Sequence, residues 1–208
     1  MIRLVGTSHI SPEAIKRIEE EIDHGADCVA VELDMGRYEA LKSGRKGSYP
    51  SIFFRLLSWI QGKLAEKTGV LPGEEMLTAT DRAMENQIRV YFIDRPIYET
   101  LEDFQKLGIL EKAKIALMCF TGIRGYDFNL REVPSEDIVK KSTELLSKRA
   151  PELYRVLVEK RDEIMSSALY ELSEENEDVL AVVGAGHLPG IKDRLSEMGV
   201  EYVDKTFK

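Results

Sequence analysis

The sequence predicts an α/β fold: a largely parallel central sheet flanked by helices, with a helical insertion. Three observations carry this. Short runs rich in Val and Leu recur as "IRLVG" (2–6), "CVAVEL" (28–33), "IRVYFID" (88–94) and "DVLAVVG" (178–184). They are continuous rather than alternating, as in strands buried on both faces. Helical patterns separate them, which calls for strand–helix–strand units with right-handed crossovers.

The first unit is the clearest. After strand 2–6 comes the loop "TSHI", then Ser11-Pro12-Glu13 as cap, first helical position and first-turn acid. Ala14, Ile15, Ile18 and Ile22 fall on one helical face, and Gly25 ends the helix before strand 28–33. Residues 35–43 read as a short helix and "GRKGSYPS" as a loop. "IFFRLLSWIQGKLAEKTG" (52–69) is a long amphipathic helix, and "LPGEEM" opens another through about Asn86. Beyond strand 88–94, helices are expected over 98–121, 135–149 and 151–175, with Pro151 dividing the last two. Strand 178–184 leads to a helix beginning near Pro189, and "VEYVDKTF" (200–207) is a fifth strand at an edge. No linker-like composition interrupts the chain. One domain over 1–208 is expected, with a helical insertion at about 35–87 and a helical segment at about 98–175.

The bulk numbers fit that picture. The 208 residues are 43% hydrophobic and 32% charged, enough for a substantial core. A net charge of −8 argues against non-specific nucleic-acid binding. Cys28 and Cys119 have no C-x-x-C spacing, so a reducing, cytoplasmic setting is expected. The start "MIRLVGTSH" lacks a leader pattern, and no apolar run approaches a membrane span.

Function is read from where polar residues fall. His9 follows the first strand, Glu32 closes the second, Asp94-Arg95 closes the third and His187 follows the fourth. If the strands are parallel, all share the carboxyl edge, where open α/β sheets bind ligands. The two histidines repeat a frame, Gly6-Thr7-Ser8-His9 and Gly184-Ala185-Gly186-His187, each before a proline-started helix. A neutral imidazole near a helix N-terminus binds a metal or accepts a proton. Either histidine alone is more often a satisfied core or loop residue. His24, beside Gly25, reads as a helix-end cation. Glu32 at a buried strand end needs a partner: a metal, an arginine, a catalytic proton or a structural ion pair. Arg95 is one candidate partner, or a ligand for a substrate carboxylate or oxyanion. Asp94 would orient a histidine or cap. Glu75 lies in a first helical turn, favourable for any acid. Arg161 stands on an apolar stripe with Leu157, Ile164 and Ala168, so it snorkels or enters a polar site, while Asp162 points elsewhere. The apolar helix 52–69 is most simply core, with a homodimer contact or a groove for an apolar peptide as alternatives.

These residues, taken in order, resemble the TraB family. The matching stretches are "GTSHISPEAIKRIEEEI", "CVAVELDMGRYEAL", "LLSWIQGKLAEKTGVLPGEEM", "FIDRPIYETL", "LVEKRDEIMSSAL" and "VVGAGHLPGI". That family includes the PrgY pheromone-shutdown proteins and is related to the TIKI proteases. The resemblance implies a fold like that of the erythromycin-esterase and ChaN groups. It also implies a site of two G-x-x-H histidines, His9 and His187, with Glu32, Glu75 and Arg95; Arg161 falls in a further family motif. For TIKI relatives it implies metal-dependent peptide cleavage with manganese- or cobalt-type ions, and for PrgY-like members the lowering of a peptide pheromone's activity. Longer relatives continue into a hydrophobic membrane region, so a membrane location is expected only if this chain is part of a longer protein.

The expected function is therefore metal-dependent hydrolysis of a peptide or another acyl substrate. His9, His187 and Glu32 would hold the ion, and Glu75 or Glu32 would take the water proton. Arg95, with Arg161, would stabilise the oxyanion. Two histidines and carboxylates also suit zinc. The alternatives are a metal-free enzyme, and a module that sequesters a peptide or small ligand without turnover.

Overall fold

The computed structural model describes residues 1–7, 12–43, 74–115, 143–144 and 146–206. His9, the loop "GRKGSYPS", the expected helix 52–69, Cys119 and the whole of 116–142 lie outside the described residues.

Five strands form one sheet in the order β3-β2-β4-β1-β5, and every pairing is parallel. They are β1 (Ile2–Thr7), β2 (Cys28–Val31), β3 (Arg89–Phe92), β4 (Val179–Gly184) and β5 (Tyr202–Asp204). The four expected strands are present within a residue or two of their expected bounds; β1, β2 and β4 are buried throughout, while β3, at one margin of the sheet, is only half-buried. The fifth is shorter than expected, because at the sheet margin Val203 faces solvent and nothing buries a longer run.

The helices are α1 (Pro12–Asp23), α2 (Met35–Lys42), α3 (Glu74–Glu85), α4 (Ile97–Lys106), α5 (Pro151–Tyr154), α6 (Lys160–Glu175) and α7 (Leu188–Glu197). A π turn, Arg155–Glu159, joins α5 to α6. Gly25 takes φ +89 just past α1, the left-handed conformation that closes a helix without a Cβ clash.

The sheet is covered on both faces. Val5, Val29, Val31, Leu180 and Val182 pack with Ile18 and Ile22 of α1 and with Met76, Ala79 and Ala83 of α3. On the other face, Leu4, Ala30, Ala181 and Val183 pack with Met165, Leu169 and Leu172 of α6 and with Ile191 and Leu195 of α7. The helices leaving β1 and β2 thus lie on one face, and the helix leaving β4, which sits between those strands, lies on the other. Open α/β sheets bind ligands at such a reversal, here over the carboxyl ends of β2, β4 and β1.

The π turn rephases the long helix. Leu153 is buried before it and Val156 within it, and an unbroken α-helix would continue their stripe through Lys160, Ile164 and Ser167. The buried positions are instead Asp162, Met165, Ser166, Leu169 and Leu172. One extra residue per turn rotates everything downstream. The stripe expected from the sequence through Arg161 and Ile164 is therefore displaced, and Ile164 is exposed.

Candidate functional site

Glu32 follows β2, and its backbone N–H still donates to Val182 O at 3.0 Å, which holds it in the sheet. Strand alternation points it toward α6 and α7, on the side where Ala30 packs. Its side chain is 5% exposed. One carboxylate oxygen accepts the Gly184 N–H at 2.6 Å, and the other pairs with Arg161 Nη2.

Asp94 follows β3, tied by its N–H to Leu33 O at 3.2 Å. Arg161 grips it in a two-pronged pair, Nε to Oδ1 at 2.9 Å and Nη2 to Oδ2 at 2.8 Å. Arg37 Nη1 reaches the same carboxylate at 2.7 Å. Arg37 is set by the start of α2, where Asp34 accepts from the N–H groups of Gly36 and Arg37 at 3.0 and 3.2 Å.

His187 occupies the cap position of α7. Its Nε2 lies 2.9 Å from Arg161 Nη1 and 3.4 Å from Glu32 Oε1. Its Nδ1 lies 2.6 Å from Asp162 Oδ1. The end of the "GAGHLPG" turn has its own reason to be glycine: a Cβ on Gly190 would overlap Asp162 Oδ2 and lie 2.8 Å from Asp162 Cγ. Gly6, in the other G-x-x-H frame, is equally confined, since a Cβ there would overlap Leu188 and approach Thr206 Oγ1 at 2.9 Å.

Arg161 is the centre of this arrangement. Burial works against its charge, but Glu32 and Asp94 more than offset that and hold the guanidinium firmly protonated. Burial pushes the Asp162 carboxyl up, and its hydrogen bond to His187 pulls the other way.

Of the residues expected from the sequence, the structure brings together Glu32, Asp94, Arg161 and His187. Arg95 is not the partner of Glu32. It turns away to Glu99 Oε2 at 3.0 Å and Asp103 Oδ2 at 2.8 Å, because α4 presents both acids to it, and Arg161 takes the place beside Glu32. Asp94 holds arginines and accepts the Arg95 N–H at 2.7 Å, rather than orienting a histidine. Glu75 is buried at the start of α3, the helix on the opposite face of the sheet from α6 and α7. Asp162 was expected to point elsewhere, yet it is 2% exposed and bonded to His187. Periodicity did not find it, because the π turn moves the buried stripe onto it.

The imidazole nitrogen His187 Nε2 and Glu32 Oε1 have the donor chemistry of two ligands of a divalent ion. Both now face the Arg161 guanidinium, so an ion held by them would take over contacts that Arg161 makes. Among the described residues, no group of three or more His, Cys, Asp or Glu side chains is placed to hold a metal.

Residues 1–202 match the model of the TraB/PrgY/gumN family. The chain belongs to that family. An uncharacterised family relative from Methanocaldococcus jannaschii is 33% identical, over 95% of this chain and 54% of its own length. TraB domain-containing proteins of Bos taurus and Homo sapiens are each 23% identical, over 92% and 94% of this chain and 61% and 62% of theirs. The chain therefore spans little more than half the length of these relatives. Among the described residues, no helix is long and apolar enough to cross a membrane.

Proposed function

We propose that the carboxyl edge of the sheet is a metal-dependent hydrolytic site acting on a peptide or another acyl substrate. The reading is carried by one observation: His187 and Glu32, remote in sequence, meet at a half-buried arginine at the carboxyl edge, where α/β sheets bind ligands. His187 Nε2 and Glu32 Oε1 would hold a divalent ion together with His9. Such an ion, of manganese, cobalt or zinc type, supplies an acidified water and a polarised carbonyl. Arg161, released from Glu32 and His187 but still held by Asp94, would face the developing oxyanion. Glu75 would take the water proton, or Glu32 would do so with Glu75 as ligand. Arg95 and Asp103 would brace Arg161 from outside, through its neighbours Asp94 and Lys160.

A second reading has its own support. Arg161 already satisfies Glu32, Asp94 and His187 without any ion, as in a site that binds and sequesters a ligand without turnover.

The test is metal content and turnover together. Purified protein exposed to Mn²⁺, Co²⁺ and Zn²⁺ should take up near-stoichiometric metal, melt at a higher temperature and cleave members of a mixed peptide library. His187→Ala should lower cleavage about 100-fold or more while remaining folded. Substoichiometric metal with an unchanged melting temperature sinks the metal reading. Tight peptide binding with no cleavage under any metal favours sequestration.

A further inference from the structure

We infer that Asp162 is the positioning residue of His187: it holds the imidazole as the Nδ1–H tautomer, with the Nε2 lone pair aimed at Arg161 Nη1. The argument begins with hydrogen-bond capacity. A guanidinium can only donate, so the 2.9 Å contact from Arg161 Nη1 makes His187 Nε2 an acceptor. A neutral ring then carries its one proton on Nδ1, and that atom faces Asp162 Oδ1 at 2.6 Å. The two neighbours on α6 thus dictate the same tautomer from opposite sides of the ring. The side chain of Asp162 is 3% exposed, and Gly190 lies against its other oxygen. The carboxylate is therefore confined to the direction of the ring.

Helix phase explains how two consecutive residues serve one ring. Side chains at adjacent helical positions diverge by about 100°, so both reach one imidazole only when the ring sits between their directions. The π turn immediately upstream sets that phase, displacing the buried stripe from Lys160 and Ile164 to Asp162 and Met165. Carboxylate partners on the second ring nitrogen fix tautomer and orientation in metal-binding and general-base histidines alike. The purpose of the fixed ring rests on the proposed hydrolytic role; the fixing itself does not.

The experiment is ¹⁵N and proton NMR of the full chain, with His187 assigned from the signals lost in His187→Gln. Three histidines make the ring resonances few enough to separate. In the unsubstituted protein His187 should show a single tautomer, protonated on Nδ1, with a strongly downfield Nδ1 proton. Asp162→Asn retains an acceptor oxygen and should keep that tautomer. Asp162→Ala, and independently Gly190→Ala, which displaces the carboxylate while leaving every polar group present, should lose the strongly downfield Nδ1 proton, leaving Arg161 alone to bias the tautomer. Turnover, if the hydrolytic reading holds, should fall about 10- to 100-fold in the last two. A signal unchanged in Asp162→Ala or in folded Gly190→Ala, or a proton found on Nε2 in the unsubstituted protein, overturns the inference. The expected NMR pattern in a protein that hydrolyses nothing leaves Asp162's role standing and removes the hydrolytic proposal alone.

Discussion

The two edges of the sheet each carry an arginine between two carboxylates, and they differ in what else that arginine touches. At the amino edge, Arg3 binds Asp178 through Nε and Nη2 at 2.9 Å each and Glu21 through Nη1 at 2.9 Å, with Nη2 also on the Gly25 carbonyl. The acceptors are two carboxylates and a backbone carbonyl, so the cluster is a rivet joining β1, α1 and the entry to β4. At the carboxyl edge, Arg161 binds Glu32 and Asp94 in the same manner but spends a third contact on an imidazole. Only that side chain can either donate or accept a hydrogen bond or bind a metal through nitrogen. An arginine–carboxylate network is thus uninformative by itself; the histidine and the strand-end turns distinguish the carboxyl edge.

The largest expected difference between the edges is in stability. Arg161→Met removes the arginine shared by two carboxylates that are 5% and 1% exposed, leaving Asp94 to Arg37 and Glu32 to the Gly184 N–H, and should cost about 3–5 kcal/mol in urea unfolding. Arg3→Met releases acids that are 17% and 35% exposed and should cost about 1–3 kcal/mol. A larger loss for Arg3 would break the comparison.

Next is a pH effect. Lys160 and then Arg95 draw the Asp103 carboxyl down from 3.8 to about 2. A depressed carboxyl stabilises the fold above its unfolded value, and the contribution disappears as pH falls through the folded value. Asp103→Asn should therefore be less stable than the unsubstituted protein at pH 5, with the gap closing between about pH 4 and pH 2. A gap that persists at pH 2 would mean Asp103 acts through packing instead.

The smallest effect sharpens the amino edge. Burial pushes the Cys28 thiol up to about 11. In a Cys119→Ser background, Cys28 should resist thiol reagents at pH 7 in the native state and react on unfolding. Fast native labelling would show that the rivet opens.

Much of this site is legible in the sequence, and the illegible parts have definite causes. Apolar runs locate the strands, and parallel pairing alone sends Glu32, Asp94 and His187 to one edge. Strand order is not written in any local pattern, so nothing in the sequence says that Glu32 and His187 stand on adjacent strands, β2 and β4. Arg95 looked like the partner of Glu32 because it follows Asp94, but adjacent residues at a strand end diverge, and α4 supplies nearer acids. Asp162 was hidden because a helical wheel assumes a constant period, which the π turn breaks. An arginine on a supposed apolar stripe, Arg161 within the charged run 159–163, was the one available hint.

The position of β4 has a consequence for biogenesis. Among the described residues, β1 and β2 share no ladder; each pairs with β4, which is the fourth strand to leave the ribosome. A nascent chain can zip β2 to β3, but it must leave a slot for residues 179–184. Such sequence-distant pairing is slow. The acids and the imidazole therefore come within reach of one another only when that last insertion completes, and a half-made polypeptide cannot display the assembled edge.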